Sequence, residues 1–338
     1  MKTHRATLTP QLLDYDALGD RAEVNYQPYL MYFHRAGFRS DAVNTDRLGF
    51  RVSHGAEATA SLGGPLPEEP VRILSCTSTA FGLGSTSDAT TMSSRLWTTY
   101  APSTPWLNMG ACYYSSAQEL LLYTLHRHLL PPVEEIVIFS GFNNLQQARL
   151  PEWQRGEHGA FFFCGEYFEQ MEELRAKNRK QGLGFGRKAE RRPTEETREL
   201  PAIIADAVEL TARHLQTLRV LTEAGGTRIT YVLQPLATWL RDCPAPQERL
   251  LFDELDATSK LGTWDGLYGQ ISSPETHLAY SAALRVALEK TGVNFVDITP
   301  ALRETVSGAD WLYVDRAHFT DHGCDVAARL IADTLNLR

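Results

Sequence analysis

The chain has 338 residues, enough for one large domain or two modest ones. Hydrophobic residues make up 43% and charged residues 22%, the ordinary balance of a packed globular protein. A formal net charge of −8 removes any global electrostatic case for nucleic acid or an anionic membrane surface. Five scattered cysteines (Cys76, Cys112, Cys164, Cys243, Cys324), odd in number and without CxxC spacing, argue against a disulfide framework or a thiolate zinc site. The N-terminus carries basic residues with no apolar stretch behind them, unlike a secretory signal. The most apolar window, Leu120 to Leu130, is interrupted by His126, Arg127 and His128 and is too short to span a bilayer. The cytoplasm is the expected address, and the oligomeric state is left open.

In chain order, residues 1–69 are rich in tyrosine and arginine. They read as an N-terminal extension packed on a core, closed by a linker at Gly63-Gly64-Pro65-Leu66-Pro67. Short apolar runs then recur at Val71 to Ser75, Trp106 to Met109, Glu135 to Ser140, Arg228 to Gln234 and Asn294 to Ile298. They do not alternate, as expected of strands buried on both faces. Helices are predicted between and after them at Ser116 to Leu130, Pro201 to Ala224, Pro274 to Thr291 and Asp321 to Leu335. The second stops at Gly225-Gly226, a C-terminal helix signal. Strands alternating with helices predict an α/β fold, a three-layer α/β/α sandwich on a parallel sheet. Residues 70–338 form this domain, interrupted by an insertion at about 145–199. An insertion of that length is read as a lid or binding element.

Functional groups in such sheets gather beyond the carboxyl ends of the strands. Ser78, Gly110, Asn143 and the segment after Gln234 all fall there. Near the C-terminus, Asp315 and His318 stand three residues apart ahead of the last helix. A serine hydroxyl needs a base to take its proton, and the base needs a partner to orient it. Ser78, Asp315 and His318 supply all three parts. Each has a plainer reading: Ser78 as a helix cap, Asn143 as a turn residue, Gly110 as a turn. The order of the blocks favours the catalytic one.

That order resembles the SGNH (GDSL-type) hydrolase family. The serine block is Thr77-Ser78-Thr79-Ala80-Phe81-Gly82, and the glycine block Leu107-Asn108-Met109-Gly110-Ala111. The asparagine block is Ser140-Gly141-Phe142-Asn143-Asn144, and the last block Asp315-Arg316-Ala317-His318. Asn44 to Arg51 looks like the lead-in of some extended members, so the resemblance covers roughly residues 44–338 without the insertion. The chain contains no Gly-x-Ser-x-Gly elbow of the common α/β-hydrolases. Two positions differ from the family pattern. Cys76-Thr77 precedes the serine where glycine is usual, and Asn144 stands where an acidic residue is usual. The resemblance implies a flavodoxin-like sheet, Ser78 as nucleophile, His318 as base and Asp315 as its orienting partner. It also implies an oxyanion hole formed by the N–H groups of Ser78 and Gly110 and the Asn143 amide. The implied activity is that of a serine esterase working through an acyl-serine on a small-molecule or carrier-linked substrate, without cofactor or metal. An acyltransferase using the same triad and a catalytically inactive binding or regulatory protein are the alternatives.

His318 and His322 have zinc-ligand spacing, but no third ligand is evident and His322 is expected on the exposed side of its helix. His126 and His128 are expected at the surface. Gly182-Leu183-Gly184-Phe185-Gly186 neither follows a strand nor opens a helix, so it is not a dinucleotide loop. The basic residues beyond it, Arg187, Lys188, Arg191 and Arg192, are candidates for gripping an anionic substrate handle such as a phosphopantetheine, coenzyme A or a sugar phosphate. Phe161-Phe162-Phe163 reads as buried packing.

Overall fold

All five apolar runs form strands in the computed structural model, which describes residues 3–19, 27–181 and 198–337. They are β1 (Val71–Cys76), β2 (Trp106–Gly110), β3 (Val133–Ser140), β4 (Arg228–Leu233) and β5 (Asn294–Asp297). All pairings are parallel, in the order β2-β1-β3-β4-β5, the flavodoxin-like order. Every residue of β2 is buried, and in β3 only Glu134 is partly exposed. Burial on both faces explains why the runs are apolar throughout instead of alternating. The register places Cys76 of β1 between Gly110 of β2 and Phe139 of β3, so three chain segments leave the sheet side by side.

The helices used below are α1 (Ser78–Phe81), α2 (Ser116–His126), α3 (Phe142–Ala148), α4 (Cys164–Gln181), α5 (Leu200–Thr222), α6 (Pro246–Thr258), α7 (Pro274–Glu289) and α8 (Asp321–Leu335). Local chemistry sets their ends. The side chains of Ser115 and Gln118 form a reciprocal capping box at the start of α2, and Ser273 caps α7 ahead of Pro274. Thr320 accepts the Gly323 N–H to open α8, and Asn336, in the left-handed region at φ 51°, closes it. Such caps satisfy amide and carbonyl groups that a helix end leaves open. On one face of the sheet α5 packs against α2, α3 and α7; on the other, α8 packs against residues 92–100. Three predicted helices end earlier than expected: α7 stops at Glu289, and past His126 and past Thr222 the chain tightens into single 3₁₀ turns. Pro246–Thr258 was not predicted.

The N-terminal segment shares the core of the sheet. Leu30, Phe33, Phe50, Ala60 and Leu62 are buried in the same cluster as the strand side chains. The stretch expected to be a linker is a packed turn. Asp46 accepts the N–H groups of Leu48, Phe50 and Gly63, and a Cβ on Gly63 would lie 2.8 Å from Asp46 Oδ1. Only glycine allows the turn to close on that carboxylate. Within the expected insertion lie the end of α3, a short helix at Glu152–Arg155 and α4. Gly182 to Gly186 and Arg187, Lys188, Arg191 and Arg192 lie outside the described residues. No helix among the described residues is long and apolar enough to cross a membrane.

Candidate active site

Ser78 opens α1 directly after β1, and Asp315 and His318 lie in the loop before α8. The fold brings them together across 240 residues of sequence. Ser78 Oγ lies 2.6 Å from His318 Nε2, and His318 Nδ1 lies 2.7 Å from Asp315 Oδ2. The other carboxylate oxygen, Asp315 Oδ1, accepts the backbone N–H groups of Ala317 and His318, each at 2.8 Å. Burial works against the charge on Asp315, but His318 and these two amides outweigh it and hold the carboxyl below its ordinary value. An ionised Asp315 can only accept, so Nδ1 of His318 carries a proton and Nε2 of the neutral ring faces the serine hydroxyl as acceptor. Ser78 is 9% exposed, shielded yet reachable. As the first residue of α1, its N–H has no intrahelical acceptor.

Gly110 ends β2 at the carboxyl edge of the sheet, where the sequence placed it. The Gly110 N–H donates to Asn108 Oδ1 at 2.9 Å, so in this conformation it is not directed at the serine as an oxyanion donor. What demands glycine here is space: a Cβ would meet Phe81 N at 2.3 Å and the backbone of Ala80 at 2.8 Å. Asn108 completes this junction by donating its amide to Ala80 O at 2.8 Å and to Ser93 Oγ at 3.1 Å. Helix α1, which carries Ser78, therefore rests directly on the end of β2.

Asn143 lies in the first turn of α3 and is buried. It donates one amide hydrogen to Tyr114 O at 2.8 Å, which leaves a second N–H on the same nitrogen. Asn144, which stands where the family pattern has an acid, accepts the Ser116 N–H and donates to Thr211 Oγ1, each at 3.0 Å. It locks α3 to α2 and α5. An amide performs both jobs, whereas an ionised carboxylate could not donate to the threonine.

Three further features hold the site and were not read from the sequence. Gln234 is buried just past β4. It donates to Thr79 Oγ1 at 2.8 Å and Ala317 O at 3.1 Å, and accepts from Thr77 Oγ1 at 3.2 Å. One side chain thus links the residues flanking Ser78 to the loop between Asp315 and His318. The only local signal is a polar residue ending an apolar strand. His34 fixes the segment after β2: its Nε2 accepts the Cys112 N–H at 3.1 Å, and its Nδ1 faces Gly49 O at 3.3 Å. Burial pushes its pKa down to about 3, so the ring stays neutral. Arg51, fully buried, donates to Asp88, Tyr15, Phe81, Gly82 and Ala42. It pins the C-terminal end of α1 to the N-terminal segment.

His322 is exposed, and His126 is half-buried, edge-on to Phe50 with ring centroids 5.0 Å apart, whereas His128 is exposed. Among the described residues no group of three or more His, Cys, Asp or Glu side chains could hold a metal ion. The phenylalanine run differs from its expected role as buried packing: Phe163 is 40% exposed, and all three rings line a cavity of about 610 Å³.

No family model and no curated protein matches the chain. Several solved structures are similar to it along most of its length. A carbohydrate acetylesterase from Sinorhizobium meliloti shares 11% identity, with 79% of this chain and 99% of that one covered and a TM-score of 0.43. A lipase/acylhydrolase from Enterococcus faecalis shares 11%, covering 78% and 95%, with a TM-score of 0.42. A GDSL-like lipase from Bacteroides thetaiotaomicron shares 12%, covering 80% and 90%, with a TM-score of 0.39.

Proposed function

We propose that the protein is a serine ester hydrolase that forms an acyl-enzyme on Ser78. The observation that carries this reading is the unbroken line from Ser78 Oγ through His318 to Asp315, with heavy-atom separations of 2.6 and 2.7 Å. In the first half-reaction Ser78 Oγ attacks the ester carbonyl carbon while its proton passes to His318 Nε2. The tetrahedral intermediate collapses, the carbon–oxygen bond to the alcohol breaks, and the departing alkoxide takes the proton from His318. In the second half-reaction a water gives a proton to His318 and its oxygen attacks the acyl-serine. Collapse releases the acid and returns the proton to Ser78. Asp315 holds the imidazole in the required tautomer and stabilises the imidazolium that forms in each half.

The developing oxyanion needs donors near Ser78. The Ser78 N–H and the second N–H of Asn143 are the groups assigned to it, while the Gly110 N–H is held by Asn108. Donors of this kind contribute roughly 3–4 kcal/mol each to lowering the barrier. The test is intact-mass and peptide analysis after treatment with a fluorophosphonate. One adduct on Ser78 is expected in the native protein, none in Ser78→Ala, and labelling slowed about 10²–10⁴-fold in His318→Ala. A well-folded native protein without an adduct would overturn the reading.

A further inference from the structure

The cavity of about 610 Å³ noted above is of a size that takes a small organic group. We propose that it binds a neutral aryl group of the ester substrate, an inference that rests on the serine-hydrolase reading for its link to turnover. Its walls come from three separate parts of the chain: Tyr32 from the N-terminal segment, Tyr113 from the loop after β2, and Phe162, Phe163 and Tyr167 from the insertion. Two wall residues, Leu83 and Tyr114, are hydrogen-bonded to residues of the candidate site, the first to the Ser78 backbone and the second to Asn143. The Leu83 N–H bonds to Ser78 O at 3.0 Å, and Tyr114 holds Asn143 through its carbonyl.

The ring geometry specifies the ligand. The centroid of Tyr113 lies 5.5 Å from both Phe162 and Phe163, and that of Tyr32 lies 6.3 Å from Phe163, at interplanar angles of 51°, 69° and 63°. Rings tilted or edge-on to one another offer further faces and edges to an incoming ring at the same preferred spacing. These side chains are not sealed: Tyr113 is 46%, Phe163 40% and Tyr167 39% exposed, an apolar surface that a ligand would cover. Charge is balanced, since among the described residues of the wall the basic and acidic side chains are Arg35 and Glu166, one of each sign, and both ring nitrogens of His34 are engaged. An anionic or cationic handle therefore finds no net complement.

The backbone points the same way. Tyr29, Met31, Tyr113, Phe163 and Asn336 are the non-glycine residues with positive φ among the described residues. Three of them, Met31 (69°), Tyr113 (65°) and Phe163 (64°), line this cavity. Long and aromatic side chains rarely adopt that conformation, and such strain concentrates where a ligand is clamped.

The test compares esters of equal carbon number with non-aromatic partners, followed by acid release in a pH-stat. Methyl 3-phenylpropanoate is set against methyl nonanoate, and 3-phenylpropyl acetate against nonyl acetate. A preference for the aryl ester on the order of tenfold in kcat/KM is expected in one series, which also identifies whether the acyl or the alcohol side enters the cavity. That preference should fall to about one in Phe162→Leu. Binding of 3-phenylpropanamide and nonanamide is measured by calorimetry on native protein, Ser78→Ala and Phe162→Leu. Tighter binding of the aryl amide, lost in Phe162→Leu, is expected whether or not Ser78 is reactive, so failure of the hydrolase reading is distinguished from failure of this one. No aryl preference in either ester series together with equal binding of the two amides overturns the proposal. So does an aryl preference that survives unchanged in Phe162→Leu.

Discussion

Replacing Gly110 by alanine adds one methyl group at the point where β2 supports helix α1, which carries Ser78. The new Cβ would lie 2.3 Å from Phe81 N, 2.7 Å from Phe81 Cα and 2.8 Å from Ala80 C, whereas ordinary contact begins at 3.4 Å. All three atoms are backbone, so no rotamer change relieves the overlap. Helix α1 must move off the sheet by about 1 Å, the difference between 3.4 and 2.3 Å. Ser78 stands at the first position of that helix and 2.6 Å from His318. A displacement of that size in a reacting group costs about a hundredfold in rate, and overpacking of this kind destabilises by about 1–3 kcal/mol. Gly110→Ala should therefore label with fluorophosphonate about a hundredfold more slowly than native protein, with unchanged secondary structure by circular dichroism. Gly156→Ala, where nothing lies within 4 Å of the added Cβ, controls for glycine replacement as such, although its own φ of +56° makes it somewhat destabilising. Alanine retains the N–H at position 110, so the loss cannot come from a missing donor. Native labelling rates in Gly110→Ala would refute the steric argument.

Gln234→Leu keeps the volume but removes the tie from Thr77 and Thr79 to Ala317; kcat should fall about 10–100-fold with little change in KM, and an unaltered kcat would show that the tie does not position the triad. Arg51→Lys cannot reproduce five buried hydrogen bonds. Leaving Asp88 poorly paired should lower stability by about 3 kcal/mol, read as a urea midpoint, and an unchanged midpoint contradicts the assignment. Burial pushes the Glu119 carboxyl up to about 7 against an ordinary 4.5, partly opposed by the Ser140 hydroxyl. The native state therefore holds the proton over a range where the unfolded chain has lost it, so stability is greatest at low pH and about 3 kcal/mol is lost as pH rises from 4.5 through 7. Glu119→Gln should gain in urea midpoint relative to native protein between pH 5 and pH 8; parallel pH profiles would count against it.

The sheet was legible because its strands are buried on both faces, which writes each one as a short apolar run between turns. β1, β2, β4 and β5 fall within a residue of the expected ends, and β3 starts two residues early at Val133. The meeting of Ser78, Asp315 and His318 was legible for a related reason: polar side chains that gather beyond strand ends must come from short interruptions next to those runs. The role of Gly110 was not, because a glycine chosen to let a helix approach and one chosen to present an N–H look identical in one dimension. Phe161 to Phe163 misled in the same way, since an apolar run does not say whether it faces a core or a cavity. The contacts of His34, Arg51 and Gln234 span up to 157 residues and leave no periodicity for a local pattern to reveal.

Those long-range contacts show why the N-terminal segment belongs to the site. The loop at 111–114 carries Tyr114, whose carbonyl positions Asn143. That loop is held from outside the sheet. Tyr114 donates to Tyr32 O at 2.6 Å, Tyr32 donates to Tyr113 O at 3.0 Å, and Cys112 donates to His34 at 3.1 Å. The last bond requires an unprotonated Nε2. Because burial holds His34 far below its ordinary value of 6.5, at about 3, this contribution to stability is complete above pH 6.5 and is lost progressively as pH falls from 6.5 to 3. On the other side of Ser78, Gln234 holds the loop that bears His318. The candidate site is therefore braced from far before it in sequence, by Tyr32 and His34 at the loop beside Asn143 and by Arg51 at α1, and from far after Ser78 by Gln234; a shortened chain beginning at residue 70 would keep Ser78, Asp315 and His318 while losing the brace for Asn143.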